Sequence, residues 1–174
     1  MSDQRAPVTM DAEEAAAFAA EVFDRARQGD ATMLARLLAS GLPANLRNHK
    51  GDTLLMLASY HGHLAAARVL LEHGADPAIA NDNGQLPLAG AAFKGNLDMV
   101  RLLLEQGGDP DAAAGDGRTA LMMAAMFNRL AIVDFLLAQG ADPARRDARG
   151  ADALASAQAM GASDTVARLQ ALAG

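Results

Sequence analysis

Three carboxylates, Asp76, Asp109 and Asp142, recur at intervals of 33 residues, and carboxylates recurring along one side of a fold invite an acid–base reading. Their regularity argues otherwise. Equivalent residues of successive units stand one helix-packing step apart, roughly 8–10 Å. Each aspartate also lies just after a glycine and just before a proline, where a carboxylate accepts turn N–H groups. They are expected to hold loops. His61 and His63 flank Gly62, a spacing that could begin a metal site. Ligand sets bring three or four donors, however, and no cysteine or clustered carboxylate completes one here, so no metal is expected. Ser2, Ser40, Ser59, Ser156 and Ser163 form no G-x-S-x-G elbow, and no phosphate-binding G-x-x-x-x-G-K run exists. The string from Gly115 to Arg118 opens like a calcium loop but lacks the further acidic ligands, and reads as a tight turn. Arg145, Arg146 and Arg149 form the one basic cluster; it is either a solvated turn or a contact for an acidic partner. No catalytic residue and no cofactor are expected.

Composition narrows the class further. At 174 residues with 51% apolar content, the chain is long enough for one domain with a continuous core. No run approaches the roughly 20 apolar residues of a membrane helix, and Met1 to Met10 does not read as a secretory signal. A cytoplasmic protein with no membrane partner is expected. The absence of cysteine excludes disulfides and thiol chemistry. A net charge of −6 argues against nucleic acid as a partner. Arginine outnumbers lysine 13 to 2, and with abundant alanine this suggests a GC-rich bacterial coding sequence.

The elements that must position these residues are announced by glycine. Gly41, Gly74, Gly107 and Gly140 are 33 apart, as are Gly51, Gly84, Gly117 and Gly150. A third series, Gly29, Gly62, Gly95 and Gly161, has Asn128 at its missing step. Asparagine shares with glycine a tolerance of left-handed backbone, so positive φ is expected at Asn128. Between the glycines, Thr53 to Tyr60, Pro87 to Phe93 and Thr119 to Phe127 have the apolar spacing of a short helix. Thr53 and Thr119 are candidate N-caps, and Pro87 suits a first helical position. A second helix is expected over Leu64 to Glu72, Leu97 to Glu105 and Leu130 to Ala138, with one buried stripe at three- and four-residue spacing. Asp11 to Arg27 and Thr32 to Ala39 read as the helices of an atypical first unit. Helices this short gain too few bonds to stand alone, so stability must come from stacking. Ala58, Ala91, Ala92, Ala124 and Ala125 allow the close approach that stacking needs.

The "GADP" and "GGDP" strings, the G-x-T turns at Gly51 and Gly117, and the "HGHL" and "KGNL" turns repeat in register, and the chain resembles the ankyrin repeat family over Asp11 to Leu172. The resemblance implies an all-α repeat solenoid of β-turns and paired helices, with three full repeats (48–80, 81–113, 114–146) between atypical capping repeats (11–47 and 147–174). Residues 1–10 are expected to be loosely ordered. The family's T-P-L-H tetrapeptide is replaced by Thr53-Leu54-Leu55-Met56, Leu86-Pro87-Leu88-Ala89, Thr119-Ala120-Leu121-Met122 and Asp152-Ala153-Leu154-Ala155. The threonine-to-histidine hydrogen-bond network is therefore absent, and methionine packing must take its place.

In ankyrin domains the C-terminal end of the first helix and the hairpin turns line a concave groove. The resemblance thus places Tyr60, His61, Phe93, Lys94, Met126 and Phe127 in the groove. His49, Lys50, Asp52 and Asp82 would lie on its turn rim, joined by Asn83, Gln85, Asp116, Arg118 and Arg149. These groove and rim side chains are not expected to be needed for stacking. Tyr60, Phe93, Met126 and Phe127 would form a ladder of large groups, the kind of anchor that dominates interfaces; equally, they would cover the junction between helices and hairpins. Phe18, Phe23 and Phe135 are assigned to the core. The implied function is a non-catalytic protein-binding module, monomeric on its own. The alternative is a stabiliser, inhibitor or immunity-type subunit for a bacterial enzyme or toxin encoded nearby.

Overall fold

A computed structural model describes residues 10–172; all but the last of the residues expected to be loosely ordered at the N-terminus lie outside this range. The described residues form ten helices in five successive pairs. The first helices are α1 (Ala12–Gln28), α3 (Leu54–Tyr60), α5 (Pro87–Lys94), α7 (Ala120–Met126) and α9 (Ala153–Met160). The second helices are α2 (Ala31–Ala39), α4 (Leu64–Glu72), α6 (Leu97–Glu105), α8 (Leu130–Ala138) and α10 (Ser163–Gln170). Each first helix packs on the next first helix, and each second helix on the next second helix, giving two layers.

Short apolar runs become helices here because each has a cap and a buried stripe. Thr53 and Thr119 accept the N–H of Met56 and Met122 at 3.0 and 3.3 Å, and Pro87 starts α5 without needing a donor. The threonine caps thus form without histidine, and Met56 and Met122 are buried at the positions where the family carries it. The stripe of α6 is typical of the second helices: Met99, Val100, Leu102 and Leu103 are buried on one side. Ala58, Ala91, Ala92, Ala124 and Ala125 are fully buried between first helices, and their small side chains bring that layer together. One continuous core runs from Val22 to Leu169.

The first unit departs from expectation at two points. Its second helix starts at Ala31 rather than Thr32, because Asp30 caps it through Met33 N–H at 3.0 Å. Phe18, assigned to the core from its type, is 37% exposed. The reason is the length of α1: 17 residues against seven for α3, so its N-terminal turns extend past the partner helix and only Val22, Phe23 and Ala26 are buried. Asp11 and Glu14 complete a capping box on that free end. Phe135 is half-buried against the core, with the Arg101 guanidinium 4.6 Å from its ring centroid.

Between pairs, the chain makes protruding turns. Isolated antiparallel bridges join Arg47 to Thr53 and Ala113 to Thr119. Neighbouring turns are laced through backbone bonds: Asp82 N–H to Lys50 O at 3.0 Å, Gly115 N–H to Gly84 O at 2.8 Å, and Ala148 N–H to Asp116 O at 2.9 Å. The middle bond is one residue out of step with the other two. Glycine at both sites permits it, since a Cβ on Gly84 would lie 2.7 Å from the Gly115 Cα.

Candidate functional site

Several of the residues that raised catalytic questions make scaffold contacts. Asp76, Asp109 and Asp142 accept the N–H two residues ahead, from Ala78, Asp111 and Ala144, at 2.8 to 2.9 Å, closing the turns after the second helices. The Nε2 of His63 meets the Arg27 carbonyl oxygen at 2.7 Å, which fastens the second unit to the first. Among the described residues no group of three or more His, Cys, Asp or Glu is placed to hold a metal ion. Asp116 accepts the N–H of Arg118 at 3.1 Å, so the Gly115 to Arg118 segment is a self-bracketed turn.

Between the first-helix layer and the protruding turns runs a groove with two cavities. The larger, about 370 Å³, has Met56, Tyr60, Leu86, Ala89, Gly90, Phe93 and Met123 on its helical side, and Asn83, Gln85, Ala114, Asp116 and Arg118 on its turn side. The smaller, about 290 Å³, is lined by His49, Lys50, Asp52, Tyr60, His61 and Gln85 with Arg27, Met56, Leu57 and Asn81. Tyr60, 41% exposed, stands between them and lines both. Lys94 Nζ lies 5.0 Å above its ring centroid, and His61 meets the ring edge-on at 5.7 Å. Phe93 and Phe127 make a second, T-shaped pair with centroids 4.7 Å apart. The anticipated row is therefore two clusters, with Phe93 turned to Phe127 and Tyr60 taken by Lys94. Met126 is half-buried and lines neither cavity.

Three rim side chains, Asp52, Asp82 and Arg118, also tie neighbouring turns together. Asp52 accepts from Asn81 Nδ2 at 2.9 Å and from Asn48 Nδ2 at 3.2 Å. Asp82 pairs with Arg47 of the preceding turn at 3.2 Å, and Gln85 Oε1 accepts from Asn81 Nδ2 at 3.0 Å. Arg118 lies 3.4 Å from Asp116 and 3.9 Å from Asp147 of the following turn. The cause is proximity: backbone bonds already hold adjacent turns together, and polar side chains at their tips reach one another. Asp147 is held below the ordinary carboxylate range chiefly by the Ala151 N–H, opposed by desolvation and helped by the Arg149 N–H and the charges of Arg118 and Arg149. Arg149 is exposed and lies beyond both cavities, and Asn83 is exposed at the wall of the larger.

Ala89 and Gly90 are not among the residues the sequence points to, yet they make the larger cavity. They stand 33 residues after Met56 and Leu57 and 33 before Met122 and Met123, so the central unit has small groups where its neighbours have large ones. Ala114 likewise stands where Asn48, Asn81 and Asp147 stand in the other turns. A glycine inside a helical run, with no turn to justify it, is the available signal.

Paired helices, protruding turns and a groove between them define a helical repeat solenoid. The chain belongs to the ankyrin repeat family: the family model of three tandem ankyrin repeats matches residues 22–114, and the single-repeat model matches 116–148. An ankyrin repeat protein of Pseudomonas aeruginosa, PA3287, is 62% identical over 52 residues, 30% of this chain and 30% of that protein. The mouse (Mus musculus) BRCA1-associated RING domain protein 1 is 50% identical over 40 residues, 23% of this chain and 5% of that protein. The matches thus span under a third of either relative. Ankyrin repeats generally mediate protein–protein interaction, and the family is typically non-catalytic. No helix among the described residues is long and apolar enough to cross a membrane.

Proposed function

We propose that this chain is a non-catalytic module that presents the groove as a rigid surface to one protein partner, with the repeats of 48–80, 81–113 and 114–146 as scaffold and 11–47 and 147–174 as capping repeats. The groove residues are Tyr60, His61, Phe93, Lys94, Met126 and Phe127. One observation carries this reading: Tyr60, the largest exposed aromatic side chain, stands between two cavities at the mouth of a face whose backbone is fixed by turn-to-turn hydrogen bonds. A rigid surface loses little entropy on binding, so contacts made there convert efficiently to affinity.

The test separates binding from folding. Replacing Tyr60, Phe93 and Phe127 together by alanine should leave the helical signal and a cooperative melt, while weakening a co-purified partner by about 2 kcal/mol or more. Titration calorimetry of the partner against the two proteins reads this directly. Unchanged affinity in a folded triple variant places the binding surface elsewhere.

A further inference from the structure

The two lysines of the chain, Lys50 and Lys94, both stand on the groove. Neither forms an ion pair among the described residues. The carboxylates of the same face are engaged: Asp52 by the Asn48 and Asn81 amides, Asp82 by Arg47, and Asp116 by Arg118. Asp82 and Asp116 are thus neutralised by arginines while Asp52 keeps its charge, so the two lysines leave a net excess of positive charge on this face, although the whole chain carries −6. At physiological salt, charges more than about 8 Å apart are largely screened, so a ligand in the groove responds to the lysines beside it more than to the net charge.

Tyr60, under Lys94 and shared with the cavity that Lys50 lines, also walls the larger cavity, together with Met56, Leu86, Phe93 and Met123 above Ala89 and Gly90. The larger cavity's volume of about 370 Å³ is at the small end of the roughly 300–1,000 Å³ range of ligand clefts. It is open along the groove, so it cannot enclose most of a free small molecule as such clefts do. A side chain delivered by a peptide lying in the groove needs only one enclosed face, because the peptide backbone covers the other.

We propose that the central cavity receives one bulky apolar side chain of an acidic peptide segment, whose flanking carboxylates lie on Lys50 and Lys94. This inference rests on the groove being the binding face, and it adds the partner's chemistry and the anchoring point. Gly90 is the residue that makes room. Leucine there would restore what Leu57 supplies one unit earlier, and a Cβ at Gly90 meets only Tyr60 Cδ2, at 3.5 Å, so the helix accepts a side chain that fills the cavity.

The test uses the full chain as bait for a displayed library of random short peptides, with recovered peptides synthesised and titrated against four proteins: the parent, Gly90→Leu, the Lys50→Glu/Lys94→Glu double variant, and the Tyr60/Phe93/Phe127 triple-alanine variant. Thermal melts establish that each is folded, and Ala89→Met, which copies Met56 and Met122, serves as a second plug should Gly90→Leu fail to fold. The expected peptides are enriched in Asp and Glu around one Phe, Leu, Met or Trp. They should bind the plugged and charge-reversed proteins about tenfold or more weakly, with affinity falling as salt rises. Peptides that lack acidic enrichment, or that bind the plugged variant as well as the parent, overturn this inference. If such peptides still lose affinity on the triple-alanine variant, the groove reading stands without it; if they do not, both fall. Recovery of no binding peptide also overturns the inference.

Discussion

Asn128 shows how one residue can do two jobs. Its φ of 54° is the only positive value at a non-glycine position among the described residues, matching Gly29, Gly62 and Gly95 at the same step. Its side chain then reaches the next unit: Oδ1 accepts from Asp164 N–H and Thr165 N–H, each at 3.1 Å, and Nδ2 donates to Asp164 at 2.9 Å. The α10 helix has Ala162 at its own cap position with no side-chain bond, so Asn128 caps it from the preceding turn. Asn128→Gly would keep the backbone and lose the cap, and should cost about 1 kcal/mol. Asn128→Val loses the cap and forces a branched side chain into the left-handed region, and should cost roughly 2–3 kcal/mol. Chemical denaturation of both variants checks the order; an Asn128→Gly protein as stable as the parent refutes the capping role. Asp147 supplies a pH-dependent counterpart. Its folded pKa lies below the ordinary 3.8, so the unfolded chain binds that proton more readily. Its contribution is therefore complete above that value and disappears as pH falls through the lower folded value. Asn48 and Asn81 accept the same two turn N–H groups at their positions. Asp147→Asn should consequently fold normally and lose less stability than the parent as pH falls below about 4, a difference that paired denaturation curves measure.

At the scale of elements, the four turns that begin with Asn48, Asn81, Ala114 and Asp147 are not equal. Three begin with a side chain that brackets the turn, and the third begins with Ala114. Ala114→Asn should add one such bond, from the Asp116 N–H, since the Arg118 N–H is already held by Asp116, and stabilise the chain by about 0.5–1.5 kcal/mol, read as a raised denaturation midpoint with unchanged slope. Gly90 weakens α5 in a similar way, since glycine in a helix interior costs about 1 kcal/mol relative to alanine. The new methyl group would make an ordinary contact with Tyr60, so Gly90→Ala should recover about 0.5–1 kcal/mol. A fall in stability would mean that α5 cannot accept even a methyl group there. Both weak points border the same cavity, so the least well-stabilised turn and first helix of the central stack are those that shape the proposed anchor site.

Across the whole molecule, each unit touches mainly its neighbours, and stability is close to a sum of units and interfaces. Leu103 is fully buried in the middle of the stack and Leu169 is 4% exposed at its end. Leu103→Ala should cost roughly 2–5 kcal/mol of global stability. Leu169→Ala, although nearly as buried, should mainly raise hydrogen exchange in α9 and α10, because an end unit can open while the rest stays folded. Equal loss of protection along the entire chain from both substitutions would contradict a one-dimensional architecture.

The period, the second helices of the three central repeats, the threonine caps and the positive φ at Asn128 are legible in the residues themselves. Each depends on interactions within a few positions, and the 33-residue repetition states each one several times. What side chains meet across units is decided only by the fold. The sequence marks Asp52 and Asp82 as turn residues but not as ties between turns, because their partners, Asn81 and Arg47, are 29 and 35 residues away. It marks Phe18 as apolar but not that α1 outruns its partner. The groove cavity is the clearest case: it is a volume left empty by Ala89, Gly90 and Ala114, and an empty volume exists only once the walls contributed by Met56, Tyr60, Phe93 and Met123 have been brought around it by stacking.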